Sequence, residues 1–160
     1  MAIGTTSLGA FDASSGSRGS KQFIVLGSLR LPVGTESATC ARRFARMVLD
    51  LSGGAADVRD DVEVIVSELV TNVVLHVERD GEPFALVVFA QLGAMLRLEV
   101  HDSGESVSLT AEPDSTSEHG RGLWIVGMLA QSWGVDETPD GKCVWAEIEA
   151  WATPTARAEA

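Results

Sequence analysis

Apolar residues change their spacing several times along the chain, and each change predicts a new element. In KQFIVLGSLRLP, Phe23, Val25, Leu29 and Leu31 fall at alternate positions, the period of a strand, and Pro32 stops the run. From Ser37 to Leu51 the period becomes helical, with Ala41, Phe44, Ala45 and Val48 on one side and Gly53-Gly54 beyond the end. A second helix follows, with Asp57 as its cap and Val58, Val62, Ile65, Val66, Leu69, Val73 and Val77 at three- and four-residue steps, running to about Glu78. FALVVFAQL (84–92) and MLRLEVHDS (95–103) predict two strands. Gly93-Ala94 joins them, with glycine first as a type II′ hairpin turn requires. The Ser/Thr/Glu/Asp-rich stretch 106–117 has no core-forming pattern and reads as a mobile loop. HGRGLWIVGMLAQSWG then predicts a helix opening at a glycine-rich turn, and WGVDET and KCVWAEIEAW form a closing hairpin about Pro139-Asp140-Gly141. This order predicts an α+β fold: a two-layer α/β sandwich in which a mixed, mostly antiparallel sheet is covered on one face by helices.

A chain of 160 residues is long enough for one domain with its own core. Residues 1–20, rich in Gly and Ser, and residues 152–160 lack periodicity, which leaves 21–151 as the folded domain between two flexible ends. The net charge of -11 opposes both a phosphate backbone and an anionic lipid surface, so neither nucleic acid nor membrane is an expected partner. An anionic ligand would have to be held locally, by backbone N–H groups and a metal ion. Cys40 and Cys143 form no CxxC pair, which fits a reduced cytoplasm. No run approaches the ~18 apolar residues of a membrane span, and the start of the chain has no export signal.

Three groups of residues ask for a chemical explanation. Asn72 is the only asparagine and sits in the middle of the strongest helix, where its amide competes for backbone hydrogen bonds. With Glu68 and His76 it forms an i, i+4, i+8 stripe at the margin of the apolar face. Taken alone, such a triplet is better explained as a plain hydrogen-bonded run along a helix edge than as a site. In MLRLEVHDS, Leu96, Leu98, Val100 and Asp102 share one face, and Arg97, Glu99 and His101 the other. Asp102 therefore ends a buried row, either as a turn cap or as an acceptor for an exocyclic amine such as that of adenine. His101 reads as solvent-facing. Third, His119-Gly120-Arg121-Gly122-Leu123 lets backbone approach a ligand and starts a helix whose first N–H groups suit a phosphate. It is not a dinucleotide fingerprint, because Ile125 occupies the third glycine position. Trp124, Trp133, Trp145 and Trp151 read as core or sheet-covering residues.

Taken together in order and spacing, ELVTNVVLH (68–76), DSGES (102–106) and GRGLWIV (120–126) resemble the N, G1 and G2 boxes of the Bergerat-fold ATPases. The likeness spans roughly 22–150. That superfamily includes histidine kinases, gyrase-type topoisomerases and bacterial anti-sigma-factor serine kinases, and the short loop between boxes is most similar to the last. The resemblance implies ATP and Mg as cofactors. It makes Asn72 the Mg ligand, Glu68 the base towards a partner's serine hydroxyl or the group that orients the attack, and Arg121 a catalytic contact to the terminal phosphate. It places Asp102 on the adenine amine and Gly104, Ser106, His119, Gly120, Gly122 and Leu123 around the nucleotide. Cys143 falls where a Thr is common near the adenine, Ser106 where the G1 box has its second glycine, and Val73 where a small Ala follows the Asn. His76 either steadies Glu68 and Asn72 or touches ligand. The implied partners are a sigma factor, an anti-anti-sigma antagonist and a second copy of the chain. Two alternatives stay open: a non-catalytic protein-interaction module and a histidine kinase catalytic piece.

Overall fold

The strongest periodic segments become the inner layer. Val62, Ile65, Val66, Leu69, Val70 and Val73 bury one stripe of a helix, α2 (Arg59–His76), while Ala41, Ala45, Val48 and Leu49 bury the facing stripe of α1 (Ser37–Ser52). The small residues of α1 let the two helices approach, and both stripes pack onto a sheet. In the computed structural model, residues 23–76, 83–103 and 121–152 are described. Their remaining elements are β1 (Ile24–Pro32), β2 (Phe84–Leu92), β3 (Met95–Asp102), α3 (Arg121–Leu129), β4 (Ser132–Thr138) and β5 (Gly141–Glu149). The sheet order is β1-β2-β3-β5-β4, and all four pairings are antiparallel, so no parallel pair of a mixed sheet occurs among the described residues. The α+β architecture, with helices on one face of an open sheet, is as expected.

The hairpin β2–β3 turns at Gly93, whose φ of 59° is the left-handed conformation that glycine supplies without a Cβ penalty. Alternation then sorts the faces. Leu96, Leu98 and Val100 of β3 and Val144, Ala146 and Ile148 of β5 face the helices, with Val87 and Phe89 of β2. Phe89 is fully buried and meets the Phe44 ring edge-on, with 5.5 Å between centroids. Each such side chain contributes roughly 1.5–3 kcal/mol. The opposite face carries Arg97, Glu99 and His101 of β3 and Cys143, Trp145 and Glu147 of β5.

Several local expectations change. Asp57 caps nothing: it lies inside a one-turn 3-10 helix, Ala56–Val58, that precedes α2 and has no side-chain cap. A bulge between Val25 and Gly27 shifts the register of β1, so Phe23 and Val25 are exposed while Leu31 is buried. The last helix ends at Leu129 rather than continuing towards Gly134, because Ser132 and Trp133 pair with β5. Trp124 stands on the exposed side of α3, whereas Trp133 and Trp151 pack against the core and the Trp151 ring N–H donates to the Ser52 carbonyl at 3.1 Å. Val77, Glu78 and the loop 106–117 lie outside the described residues.

Candidate functional site: one cleft between the second helix and the sheet

Glu68, Asn72 and His76 occupy one edge of α2, and α3 is laid against that edge by a glycine. A Cβ at Gly122 would stand 2.7 Å from Glu68 Oε2 and 3.5 Å from Asn72 Oδ1. The missing side chain is therefore what lets the first turn of α3 meet both polar groups. Arg121, the first residue of α3, is exposed there, and the helix presents its positive end to the same place. Asn72 Nδ2 is buried and has no hydrogen-bond partner among the described residues. An unmet amide in the middle of a helix, beside a carboxylate and a helix N-terminus, has the makings of a ligand group. A half-turn of that amide offers its oxygen instead.

Asp102 completes the cleft from the sheet side. One small cavity, about 30 Å³, is lined by Leu69, Asn72, Val73, His76, Asp102, Lys142 and Val144. The Asp102 side chain is fully buried, and Lys142 Nζ lies 3.5 Å from its Oδ1. Lys142 is as buried as the carboxylate's strand neighbours because it pairs in register with Asp102 and so points to the same face. A carboxylate at this depth needs donors, and the ammonium is one. Leu69, Val73 and Val144 form the apolar part of the cavity's lining, with the carboxylate beside them, and at this volume the cavity is about the size of a water molecule.

The structure thus brings Asn72, His76 and Asp102 together around the cavity and Glu68 and Asn72 together at Gly122, while Arg121 adjoins Gly122 in the chain with its side chain exposed. Leu123 contributes only backbone, since its side chain is part of the core. Gly104, Ser106, His119 and Gly120 lie outside the described residues. Cys143 does not belong to this cleft. Period two puts it on the other face of the sheet, with Sγ 3.6 Å from His101 Nε2. The residue that enters the cleft from this strand is Lys142. Its signal was legible in KCVWAEIE, where Lys142 heads the row Val144, Ala146, Ile148 as Asp102 ends the row Leu96, Leu98, Val100.

Comparison with known families places the chain as a whole. The family model of the histidine kinase-like ATPase domain matches residues 31–148. The chain belongs to this family. No curated protein matches it by sequence. The histidine kinase-like ATPase domain is an ATP-binding fold, and the matched span contains both walls of the cleft. Among the described residues no helix is long and apolar enough to cross a membrane.

The opposite face also departs from expectation. His101 lies on the open face but is less exposed than expected: its side chain is 19% exposed, and Nε2 lies 2.9 Å from Glu99 Oε2. Arg97 Nε donates to Glu99 Oε1 at 2.6 Å and Nη1 to Glu147 Oε1 at 3.0 Å, while its guanidinium carbon sits 4.3 Å from the Trp145 ring centroid. Burial works against the Glu99 charge, but the hydrogen bonds from His101 and Arg97 outweigh it and hold the carboxyl below its ordinary range. Burial pushes the Cys143 thiol up to about 12.

Proposed function

We propose that this ATPase domain is a serine/threonine protein kinase of the anti-sigma-factor type, working as a homodimer that holds a sigma factor and phosphorylates a small anti-anti-sigma antagonist. The observation that carries the catalytic part is the convergence of Glu68 Oε2 and Asn72 Oδ1 on Gly122 at the opening turn of α3. Phosphoryl transfer needs positioned anions, a divalent ion and a base more than covalent chemistry from the protein. In this reading Asn72 holds Mg, and the α3 N-terminus with Arg121 holds the phosphates. Glu68 receives the proton of the attacking hydroxyl, and Asp102 accepts the adenine amine. The resemblance of the three boxes to the serine kinases supplies the choice of partners.

One observation favours a second reading, a module that associates with partners and binds nucleotide weakly. Lys142 occupies the base end of the cleft beside Asp102, and Val73 narrows it, so a nucleotide has to displace the ammonium. A transfer assay with radiolabelled Mg-ATP separates the two. The kinase reading expects label on a serine of the antagonist, lost in Glu68→Ala while sigma-factor capture persists. Absence of label with the wild-type protein, alongside intact capture, would establish the second reading instead.

A further inference from the structure

The face of the sheet that no helix covers among the described residues holds a second cluster of chemically capable side chains, and it does not depend on the nucleotide reading. His101 and Cys143 are register partners across β3 and β5, and Glu99 lies two residues back on β3, on the same face. His101 Nε2 stands 2.9 Å from Glu99 Oε2 and 3.6 Å from Cys143 Sγ, and the three ligand atoms all lie within 4.8 Å of one another. A tetrahedral zinc ion with Zn–N and Zn–O of about 2.0 Å and Zn–S of about 2.3 Å sets neighbouring ligand atoms about 3.3–3.5 Å apart. The cluster meets that spacing to within small rotations of side chains, of which Glu99 and His101 are half-buried and Cys143 is buried.

We propose that Glu99, His101 and Cys143 form a binding site for a divalent transition metal, zinc in the first instance, with solvent as the fourth ligand. A thiolate, an imidazole and one carboxylate select zinc over magnesium or calcium, which prefer oxygen alone. The surroundings suit a cation. Glu99, Glu147 and Asp136 gather about a single guanidinium, Arg97, and leave the patch net negative. Arg97 takes Glu99 Oε1 at 2.6 Å, which holds the carboxylate with Oε2 turned towards His101 and so orients a metal ligand from behind. Two ladder-paired strands supply the scaffold, so the donors need little ordering on binding. Uptake of the ion displaces the Cys143 thiol proton to solvent and exchanges the His101 contacts for bonds to the metal.

The location gives the site a consequence. His101 and Cys143 immediately precede and follow Asp102 and Lys142 on the same two strands, and the next register pair faces the cleft. A bound ion would pin β3 to β5 directly behind the Asp102–Lys142 pair.

Cobalt(II) is the spectroscopic probe for a test on the full chain. Chelator-treated protein is titrated with cobalt and then with zinc. The expected result is one equivalent of cobalt with a sulfur-to-metal charge-transfer band and tetrahedral d–d bands, all bleached by one equivalent of zinc. Cys143→Ser should abolish the charge-transfer band, His101→Gln should weaken binding by about tenfold or more, and Cys40→Ser should change nothing. Circular dichroism confirms that each variant is folded, and His101→Gln carries the test if Cys143→Ser is not. No charge-transfer band with the wild-type protein, or a band that survives His101→Gln and vanishes in Cys40→Ser, would overturn the proposal.

Discussion

The two faces of the sheet bury charge in different ways. On the open face, Arg97, Glu99, Glu147 and His101 form a continuous ladder in which each charged group meets at least one other. On the helix-covered face, apolar rows fill nearly the whole surface, and charge appears only where they end, as Asp102 and Lys142 beside Asn72. A ladder spread along the strands joins each charge to the next, whereas the pair at the cleft stands next to an amide without a partner among the described residues, and under the proposed function it is the part exchanged for a ligand. On the helix-covered face, what sets the cleft apart is charge at the end of an apolar row, facing a gap; on the open face it is donor types at metal-ligand spacing, not charge itself, that carry the proposed site.

The largest effect is expected where the two faces share a backbone. Gly141 has φ of 153°, and a Cβ there would run into the Asp102 carbonyl and Ser103 Cα, so nothing flexible can yield. Gly141→Ala should lose about 3 kcal/mol or more in urea unfolding and disturb Lys142 and Cys143 together. Next in size is the cleft pair. Asp102→Ala should destabilise by about 3 kcal/mol, and adding Lys142→Met should recover most of the loss, because the cost lies in breaking a buried pair rather than in lacking one. A double variant no better than the single one would show that the pair is not coupled.

The open face should respond more mildly. Arg97→Met is expected to cost about 1 kcal/mol in denaturant unfolding, reduced by salt, since its surroundings remain partly wet. The pH dependence has a definite sign. Glu99 is held below its ordinary carboxyl range, so its contribution is present above the unfolded value, near 4.3, and is lost as pH falls through the lower folded value. The gap between wild type and Arg97→Met should therefore close in acid. A gap that widens there would contradict the ladder. The smallest stability change is expected for Gly122→Ala, within about 0.5 kcal/mol, because the one atom its Cβ would crowd is the movable end of Glu68, Asn72 Oδ1 at 3.5 Å being in ordinary contact. Mg-ATP binding should nevertheless fall, and a variant that binds normally would remove Gly122 from the site.

Much of this contrast was legible in the chain. Period two placed Asp102 with Leu96, Leu98 and Val100 and set Arg97, Glu99 and His101 against them, and helical spacing put Glu68, Asn72 and His76 on one edge. What local pattern could not supply was pairing between distant strands. Only the β3–β5 register reveals that His101 meets Cys143 and Asp102 meets Lys142. The Cys143 assignment failed because motif position overrode alternation, and Asp57 failed as a cap because a 3-10 turn intervenes before α2. The β1 bulge left no mark in the spacing, so Phe23 and Val25 looked like core.

Every role proposed for the cleft requires Asn72 and Asp102 to serve one bound nucleotide. Calorimetry of wild type, Asn72→Ala and Asp102→Asn with ATP, in magnesium and in a magnesium chelator, measures this directly. Magnesium-dependent binding by the wild type is predicted, with Asn72→Ala losing the magnesium dependence and Asp102→Asn weakening affinity by about tenfold or more, the equivalent of about 1.4 kcal/mol. Identical ATP affinity and identical response to magnesium in all three proteins would contradict it.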